Sequence, residues 1–409
     1  MTSLALVGIG GYGNSYVAAL LDATPAEQKL FRWTAAIDPS PQSCRRLAEV
    51  EARGVRLFRS LDELYETERY ETERADLAVI STPLHLHAAH TSAALSRGSH
   101  VLCEKPLCVT PDDIEVMTRA RDAANRQVAI GYQWSFSSAV QRLKADIRAG
   151  VLGRPKRMRC LVLWPRDEKY YARNHWAGAK RDGNGNLVLD SPVNNACAHY
   201  LHNLFYLLGP TVDRSDQPAR VTAELYRANA IENYDTAAIR CRTAGGAEIV
   251  FVVSHATSRR RGPIFSCEFE HATVDFADET GAGGVITARF GDGSVRDYGS
   301  PNDGKWEKLW SSLRAARENT PTVCGIEAAS AHTRCAWAAQ ESAEIAAIPK
   351  SLVRIEGPAG GRRTWVAGLD DVLEQCYATF ALPSEQNIPW AARGKEVEVR
   401  EWQGAAASG

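Results

Sequence analysis

The sequence lacks the features that mark several common classes of protein. Its formal net charge is −1 over 409 residues, so it presents no strong field to nucleic acid or to an anionic membrane surface. No apolar run reaches the roughly 18 residues that a membrane span needs. The ten cysteines contain no Cys-x-x-Cys pair, so neither a zinc ribbon nor a redox dithiol is indicated. We therefore expect no nucleic-acid partner, no membrane segment and no metal site.

Two features indicate the cellular compartment of the protein. They are the distribution of the cysteines and the residue pattern at the amino terminus. The cysteines are scattered singly through apolar stretches, where thiols pack as small hydrophobes, as is typical of a reducing environment. The amino terminus has no basic segment, and glycines interrupt its apolar run. That pattern favours a first strand over a signal peptide. These observations predict a cytoplasmic protein.

Chain length and pattern predict two domains, because 409 residues exceed one typical domain. Over residues 1–131, short apolar runs alternate with helical patterns. This rhythm predicts an α/β domain with a doubly wound parallel sheet. Over residues 132–409, closely spaced strand patterns predict an α+β domain with a large, mainly antiparallel open sheet. A strong helix pattern covers Ala328–Ile348, and a five-residue duplication over Tyr65–Arg74 favours a charged, solvent-facing helix.

A glycine-rich loop follows the first predicted strand and opens a predicted helix. It reads Gly8, Ile9, Gly10, Gly11, Tyr12 and Gly13, which contains the pattern G-x-G-x-x-G. Glycines in this pattern allow a tight turn, close approach to a pyrophosphate and close packing of helix on strand. The amino terminus of the helix then favours phosphate. The loop predicts a dinucleotide site.

Asp38, at the end of the second predicted strand, bears on the choice of dinucleotide. A carboxylate at that position accepts hydrogen bonds from ribose hydroxyls and repels a 2′-phosphate. Asp38 therefore favours NAD over NADP. Arg45 and Arg46 follow closely and leave NADP possible, with a position on the helix surface as their alternative role.

Two further strand ends carry residues expected beside the cofactor. The predicted strand His100–Cys103 ends in Glu104-Lys105-Pro106, and the preceding strand ends in Thr82-Pro83 with His87 just beyond. Open parallel sheets bind ligands at the carboxyl ends of their strands. Glu104 and Lys105 are therefore expected to face whatever the glycine loop binds. Thr82, Pro83 and His87 are expected on the cofactor side, with local packing as their alternative role.

The second domain contains a polar stripe. Asn195, His199, His202 and Asn203 are spaced by three and four residues, so a helix would align them on one face. A polar stripe on an apolar helix needs partners, which either an active cleft or a structural hydrogen-bond network supplies. A zinc site is disfavoured, because the H-E-x-x-H pattern and a nearby carboxylate ligand are missing.

An aromatic and charged loop runs from Trp164 to Gly178. The side chains expected to contact a substrate are Arg166, Tyr170, Tyr171 and Trp176 in this loop, together with Trp134. Sugars bind through ring stacking and hydrogen bonds to hydroxyls, so the mixture favours a polyol. A loop packed at a domain interface is the alternative. Arg259-Arg260-Arg261 predicts a solvated turn, or a contact to a phosphate or carboxylate on the substrate.

Taken in order, the glycine loop, Thr82-Pro83, Glu104-Lys105-Pro106 and the helix bearing His199 resemble the glucose–fructose oxidoreductase/inositol dehydrogenase family (Gfo/Idh/MocA). The resemblance covers roughly residues 3–345. It implies that Lys105 lies between nicotinamide and substrate and assists proton transfer. It implies that His199 works with Lys105 as acid and base. The family's helix usually reads D-x-x-x-H-x-x-D, and its two aspartates correspond here to Asn195 and His202.

The resemblance implies an NAD(P)-dependent oxidoreductase that transfers a hydride between nicotinamide and a hydroxyl or keto carbon of a sugar, cyclitol or sugar derivative. Two other classes stay open. One is a lyase or glycosidase that uses tightly bound NAD for transient oxidation, and the other is a non-catalytic dinucleotide and sugar sensor. Retention of Lys105 and His199 argues against the sensor. The family also implies a homo-oligomer, a dimer or a tetramer. The segment from about residue 350 onward is expected to shape the cleft or an oligomer contact.

Overall fold

The computed structural model describes residues 1–67, 74–279, 281 and 283–400. The strands are β1 (Thr2–Val7), β2 (Phe31–Ile37), β3 (Arg56–Phe58), β4 (Leu77–Ile80), β5 (His100–Cys103), β6 (Val128–Ile130), β7 (Pro155–Leu163), β8 (Pro218–Arg227), β9 (Thr236–Thr243), β10 (Glu248–Ser254), β11 (Arg261–Phe269), β12 (Ala272–Ala277), β13 (Ile286–Phe290), β14 (Val295–Gly299), β15 (Ile345–Ala347), β16 (Val353–Glu356), β17 (Arg363–Val366) and β18 (Val397–Glu398). Most of the duplication over Tyr65–Arg74 lies outside the described residues.

Helices alternate with the early strands and become less frequent later in the chain. The α-helices are α1 (Gly13–Leu21), α2 (Pro25–Gln28), α3 (Leu47–Ala52), α4 (Leu61–Tyr65), α5 (His87–Ser96), α6 (Pro111–Ala124), α7 (Ser138–Arg148), α8 (Glu168–Tyr171), α9 (Ala198–Leu207), α10 (Glu307–Glu318), α11 (Ile326–Ser342) and α12 (Leu369–Thr379). Short 3-10 turns occupy Pro41–Ser43, Leu84–Leu86, Gln133–Phe136 and Pro383–Gln386, and a π-helical turn occupies Pro192–Ala196.

The chain folds into two compact units. The first comprises Met1–Phe136 and Gly304–Ala329, and the second comprises Ser137–Asp303 and the described residues from Ser330 onward. The sequence pattern places a single cut near residue 131. The structure differs mainly in that Gly304–Ala329 belongs to the first unit.

The first unit is built on a parallel sheet. Within the described residues its six strands run in the order β3-β2-β1-β4-β5-β6, and each neighbouring pair is parallel. The strands β1, β4, β5 and β6 are buried along their whole length, as their continuous apolar runs require in a sheet covered on both faces. The strand order reverses direction between β1 and β4. Doubly wound sheets bind ligands at that point. The predicted α/β domain with a doubly wound parallel sheet is confirmed.

The return of the chain to the first unit rests on α10. Leu309 and Leu313 of α10 are buried, and the Thr2 hydroxyl donates a hydrogen bond to the Leu313 carbonyl at 3.1 Å. The backbone N–H of Ile130 donates to the Cys324 carbonyl at 2.8 Å. An amphipathic helix pattern does not reveal which sheet will cover its apolar face. For that reason the sequence pattern assigns this stretch to the second domain.

The second unit contains a large mixed sheet. Within the described residues its strands follow the order β14-β13-β12-β11-β7-β10-β9-β8-β15, and β18 also pairs with β8. The pairs β7–β10 and β8–β15 are parallel, and the other pairs in the sheet are antiparallel. The predicted α+β domain with a mainly antiparallel sheet is confirmed.

The helix predicted over Ala328–Ile348 is shorter in the structure. It ends at Ser342, and Ile345–Ala347 forms β15, which pairs with β8 through Ile345 opposite Leu225. Partners on β8 lie far away in sequence, so the local pattern could not reveal this pairing. Tertiary pairing therefore overrides helix propensity at this point.

The segment after residue 350 covers one face of the second sheet. From α12, Leu369, Leu373 and Cys376 pack in one apolar cluster with residues that include Leu161 and Val250 of β7 and β10. The segment therefore contributes core to the second unit. In the described part of the chain, no helix has the length and apolar character needed to cross a bilayer. The cysteine thiols are all buried, as expected of small hydrophobes.

Replacement of Leu373 by alanine tests the packing of α12. Leu373 is completely buried, so Leu373→Ala should lower the unfolding free energy of the second unit by about 2–5 kcal/mol. Urea denaturation followed by circular dichroism measures the change. The exposed Gln375 on the same helix supplies the control, and Gln375→Ala should change the unfolding free energy by less than about 0.5 kcal/mol. Equal effects of the two substitutions would contradict this packing.

Candidate active site

The glycine loop follows β1 and leads into α1, in the first unit. The Gly8 N–H donates to the Ile37 carbonyl at 2.7 Å, which binds the loop to the end of β2. A Cβ on Gly8, whose φ is +85°, would lie 2.6 Å from the Ser81 carbonyl oxygen. A Cβ on Gly13 would lie 2.0 Å from the Gly8 carbonyl oxygen. These contacts leave no room for a side chain, so glycine is required at both positions.

Gly10 and its neighbours form the outer part of the loop. A Cβ on Gly10 would lie 2.3 Å from the Ser43 hydroxyl oxygen, whereas Gly11, with φ +48°, faces open space. Ile9 is buried, and Tyr12 is 43% exposed. The loop thus presents backbone and one aromatic ring on its open side. A pyrophosphate needs such a surface.

Asp38 lies against this loop. Its Oδ2 accepts hydrogen bonds from the N–H groups of Ile9 at 2.9 Å and Gly10 at 3.1 Å, and its Oδ1 accepts from Ser40 N–H at 2.8 Å. The carboxylate is therefore fixed at the end of β2, where it can accept hydrogen bonds from the hydroxyls of a bound ribose. The loop and Asp38 together fit the adenosine and pyrophosphate parts of NAD.

Arg46, which the sequence left open as a contact for a 2′-phosphate, is already paired. Its guanidinium forms ion pairs with Asp22 at 2.7 Å and with Glu49 at 2.6 Å. Both acids satisfy its charge, so it offers little to a 2′-phosphate. This arrangement agrees with the preference for NAD that Asp38 indicates.

His87 connects two strand ends of the first unit. Its Nδ1 lies 2.7 Å from the Pro106 carbonyl oxygen, and its Nε2 lies 3.1 Å from the Thr82 carbonyl oxygen. Burial lowers the pKa of His87, which favours the neutral ring, and the single N–H of that ring can donate to one of these two carbonyls. Pro83 follows Thr82 and leads into the 3-10 turn at Leu84–Leu86. The geometry therefore supports local packing as the role of His87, holding the Thr82 turn beside the turn that contains Lys105.

The carboxylate of Glu104 is buried at the end of β5. The Tyr16 hydroxyl donates to its Oε1 at 2.6 Å, and the backbone N–H of Lys105 donates to its Oε2 at 3.1 Å. Lys308 of α10 forms an ion pair with the same carboxylate. Burial raises the pKa of Glu104, but the Lys308 ammonium, the hydrogen bond from Tyr16 and the charge of Lys105 together hold the pKa below its ordinary value. Glu104 is therefore a charged, fully engaged group beside Lys105.

Lys308 is the functional-site residue that sequence reasoning missed. It is completely buried, and its ammonium lies 5.1 Å from the ring centres of Tyr12 and Tyr16 and 5.7 Å from that of Trp306. These rings surround the charge with cation–π contacts. The ion pair joins residues 204 positions apart, and no local spacing links them.

Gly131 completes this arrangement at the end of β6. A Cβ at Gly131 would lie 2.8 Å from Oε1 of Glu104. Glycine at this position therefore leaves the room that the buried carboxylate occupies. Lys105 itself is partly exposed, next to the fully engaged Glu104.

The aromatic loop of the second unit gathers around Tyr170. Its start continues the line of β7, because Trp164 N–H donates to the Ser254 carbonyl at 2.8 Å and Arg166 N–H donates to the His255 carbonyl at 3.0 Å. The guanidinium carbon of Arg166 lies 4.6 Å from the centre of the Tyr170 ring. The ring of Tyr171 lies 5.2 Å from that of Tyr170.

Arg173 extends this cluster to Trp176. Its guanidinium carbon lies 3.9 Å from the Tyr170 ring centre and 5.5 Å from that of Trp176. The structure therefore brings together Arg166, Tyr170, Tyr171 and Trp176, the loop residues predicted from sequence. Arg173 joins them as a cation that the prediction did not include.

Asp190, which sequence reasoning also missed, organises this loop. Its Oδ2 accepts from Arg173 at 3.0 Å and from Gly178 N–H at 2.7 Å, and its Oδ1 accepts from the Asn195 amide at 2.7 Å. The carboxylate is buried. A carboxylate thus lies beside Asn195, the position where the family pattern usually has an aspartate.

The predicted polar stripe is divided in the structure. Asn195 lies in the π-helical turn Pro192–Ala196, and Cys197, with φ −110° and ψ 10°, separates that turn from α9. His199 lies in the first turn of α9 and is partly exposed, whereas His202 is 1% exposed. Asn195 and His199 therefore do not share a continuous helix face.

His202 and Trp134 are internal. The His202 ring stacks on Tyr206 with centres 5.5 Å apart, and burial lowers its pKa well below the ordinary value. Trp134 is 3% exposed, in the 3-10 turn Gln133–Phe136 of the first unit. Their burial makes both residues weaker candidates for substrate contact than His199. For His202 it favours the structural alternative.

Across the ranges that the structure describes, no group of three or more His, Cys, Asp or Glu side chains has an arrangement that could hold a metal ion.

Family comparisons agree with this geometry. The family model described as "Oxidoreductase family, NAD-binding Rossmann fold" matches residues 2–132. The model described as "GFO/IDH/MocA C-terminal domain" matches residues 140–275. The two models cover the first sheet with its glycine loop, and then the aromatic loop, α9 and the central strands of the second sheet.

Individual relatives are similar over parts of the chain. The rhizopine catabolism protein MocA of Rhizobium meliloti is 32% identical over 153 residues, which are 37% of this chain and 43% of that protein. Inositol 2-dehydrogenase 4 of Saccharopolyspora erythraea is 39% identical over 93 residues, which are 22% of this chain and 27% of that protein. The matched part thus spans less than half the length of these curated relatives.

Among solved structures, levoglucosan dehydrogenase in complex with NADH has a TM-score of 0.66 at 18% identity. The match covers 83% of this chain and 96% of that chain. At this identity the likeness concerns the fold.

Substitution of Lys308 tests the buried ion pair. Lys308→Met leaves the Glu104 carboxylate buried without its counter-ion, so it should lower the unfolding free energy of the first unit by about 3–5 kcal/mol. The double substitution Lys308→Met with Glu104→Gln removes both charges and should cost less than Lys308→Met alone. Urea denaturation measures both variants.

The exposed neighbour Lys305 supplies the matched control for this experiment. Lys305→Met should have a small effect, because an exposed lysine gains little from its surroundings. If Lys308→Met proved as mild as Lys305→Met, the ion pair would not carry the stability assigned to it.

Proposed function

Because the chain belongs to the Gfo/Idh/MocA family of oxidoreductases, we propose that it is an NAD-dependent enzyme acting on a hydroxyl or keto carbon of a sugar, cyclitol or sugar derivative. The observation that carries the proposal is the position of Lys105. It follows β5 in the sheet whose β1 leads into the glycine loop, and it adjoins the buried Glu104. Bound NAD supplies the hydride acceptor, and the chain supplies the group that moves the proton.

Lys105 is proposed as the proton carrier. When a hydride leaves a carbinol carbon, the hydroxyl must lose its proton, and a positioned amine can accept it. The backbone N–H of Lys105 is held at 3.1 Å by Glu104, whose own position is fixed by Tyr16 and Lys308. The side chain of Lys105 therefore extends from a rigid attachment point. A rigid attachment point reduces the number of orientations that the catalytic side chain can adopt.

His199 is proposed as the second proton-handling group. The family resemblance assigns it that role, and its partial exposure in the first turn of α9 agrees with the assignment. In the neutral state an imidazole can donate to, or accept from, a substrate hydroxyl. Asn195, held by Asp190, is proposed to orient a hydroxyl of the substrate.

The aromatic loop supports the proposed substrate class. Tyr170, Tyr171 and Trp176 offer ring faces for the apolar side of a sugar or cyclitol, and Arg166 offers donors to its oxygens. The name of one relative, an inositol 2-dehydrogenase, supports a polyol. By the family resemblance we also propose that the chain forms a homo-oligomer.

NAD is proposed as the preferred cofactor over NADP. The Asp38 carboxylate is fixed at the glycine loop, and Arg46 is paired with Asp22 and Glu49. A 2′-phosphate would therefore lie beside a negative charge, and Arg46 would offer it little compensation.

Nicotinamide absorbance tests the proposal. Purified protein is given NAD or NADP with a panel of sugars, sugar phosphates and cyclitols, and net formation of reduced cofactor is expected with NAD for at least one compound. Lys105→Ala should reduce that turnover by about 10²- to 10⁴-fold, because it removes the proton acceptor. NADH affinity, measured by fluorescence titration, should change little.

The exposed Lys350 supplies the control variant. Lys350→Ala should retain the wild-type rate, since that lysine lies outside the proposed site. Full turnover in Lys105→Ala would remove Lys105 from the mechanism, and absence of any reduced cofactor across the panel would count against the oxidoreductase.

A further inference from the structure

Three side chains around Tyr170 contain buried polar atoms that lack a hydrogen-bond partner among the described residues. These atoms are Nε of Arg166, the hydroxyl of Tyr171 and Nε2 of His255. The rings of Tyr171 and His255 lie 5.2 and 5.3 Å from the Tyr170 ring. Buried polar atoms are normally satisfied. A cluster of three such atoms around one ring therefore points to a ligand that supplies their partners.

The three consecutive arginines differ in their pairing. Arg259 forms ion pairs with Asp370, Asp371 and Glu374, and Arg261 forms ion pairs with Glu374 and Glu279. In the part of the chain that the structure describes, Arg260 has no carboxylate partner. The acids around this turn therefore pair with Arg259 and Arg261 and not with Arg260.

Arg260 lies instead over the ring of Trp164. Its guanidinium carbon is 5.0 Å from the ring centre, and that of Arg166 is 5.6 Å from the same centre. The ring is held in place by a hydrogen bond from its Nε1 to the Gly262 carbonyl at 2.8 Å and by edge contact with Tyr200. Two positive charges therefore share one fixed indole.

Two acids of the second unit, Asp190 and Asp278, already have hydrogen-bond partners. Asp190 accepts from Arg173, Gly178 and Asn195. Asp278 accepts from the N–H groups of Gly281 at 2.8 Å and Gly283 at 3.2 Å. Arg166, like Arg260, has no carboxylate partner among the described residues. Within the described residues, no ion pair neutralises either arginine of this pair.

We propose that Arg166 and Arg260 bind an anionic substituent of the substrate, a carboxylate or a phosphate. The substrate is then an acidic sugar or an acidic cyclitol derivative. The identification of the ligand as the substrate rests on the proposed function. Guanidinium groups bind both kinds of anion through charge-assisted hydrogen bonds, and a stacked arginine keeps its donors free at the edge of the ring.

Tyr171 and His255 complete the subsite. The Tyr171 hydroxyl and Nε2 of His255 are suited to hydroxyl groups on the same substrate. Burial, with Arg166 and Arg173 nearby, lowers the pKa of His255 well below its ordinary value. The imidazole therefore stays neutral and adds no further charge. Recognition of the anion then falls to the two arginines.

Calorimetric titration of the full chain, saturated with NADH, tests this inference without turnover. The probes are D-glucose, D-glucuronate and D-glucose 6-phosphate, which differ in the presence and kind of acid group. At least one acidic probe should bind about tenfold or more tightly than D-glucose. The advantage should shrink as salt is added. The tighter of the two acids identifies carboxylate or phosphate as the preferred group.

Arginine variants assign the effect to the subsite. Arg166→Gln and Arg260→Gln should each reduce the preference for the acidic probe by about tenfold. Arg259→Gln is the matched control, since Arg259 is paired with acids at and near the start of α12, and it should retain the preference. Circular dichroism checks that each variant is folded, and Arg260→Lys should recover part of the preference.

Equal affinity for D-glucose and both acids, no binding of any probe, or a preference that survives both glutamine variants would overturn the inference. The outcome separates from that of the proposed function. A preference for acidic probes without reduction of the cofactor would support the anion subsite and contradict the proposed oxidoreductase activity. Reduction of NAD by neutral polyols without a preference for acidic probes would support the oxidoreductase activity and contradict the anion subsite.

Discussion

A buried carboxylate, Glu104, is the group on which the first unit depends. Transfer of such a charge out of water costs several kcal/mol unless ion pairing and hydrogen bonds offset it. Here Lys308, the Tyr16 hydroxyl and the backbone N–H of Lys105 supply the compensation. They come from α10, from α1 behind the glycine loop, and from the turn after β5. One carboxylate therefore connects the helix that follows the glycine loop, the proposed proton carrier and a helix from a distant part of the chain.

The second unit separates its charges in a different way. Asp190 neutralises Arg173 and fixes Asn195, while acids in and near α12 neutralise Arg259 and Arg261. These paired groups give the loop its shape. Arg166 and Arg260, which the described part of the chain does not pair with acids, are the two arginines proposed to bind an anionic group of the substrate. The paired arginines and the proposed ligand-binding arginines thus differ in whether a carboxylate neutralises them.

The sequence predicted features that depend on neighbouring residues. The alternation of short apolar runs with helix patterns predicted the parallel sheet. The spacing of Gly8, Gly10 and Gly13 predicted a tight loop, and in the structure close contacts in that loop leave no room for side chains. Features that depend on distant partners were missed. Lys308 meets Glu104 across 204 positions, and the predicted helix over Ala328–Ile348 ends early because Ile345–Ala347 pairs with β8. The prediction that Asn195 shares one helix face with His199 was wrong, because Cys197 separates the turn that contains Asn195 from the helix that contains His199. Residue spacing alone does not reveal such an interruption.

The stoichiometry of the reaction distinguishes net oxidation of the substrate from transient oxidation by tightly held NAD. NADH formed and substrate consumed are both quantified for the panel compound that the purified protein converts fastest. The account predicts one NADH for each substrate molecule oxidised, since the hydride leaves on the cofactor. Consumption of substrate without accumulation of NADH would contradict it. That result would identify an enzyme that uses tightly held NAD and returns the hydride to its own product.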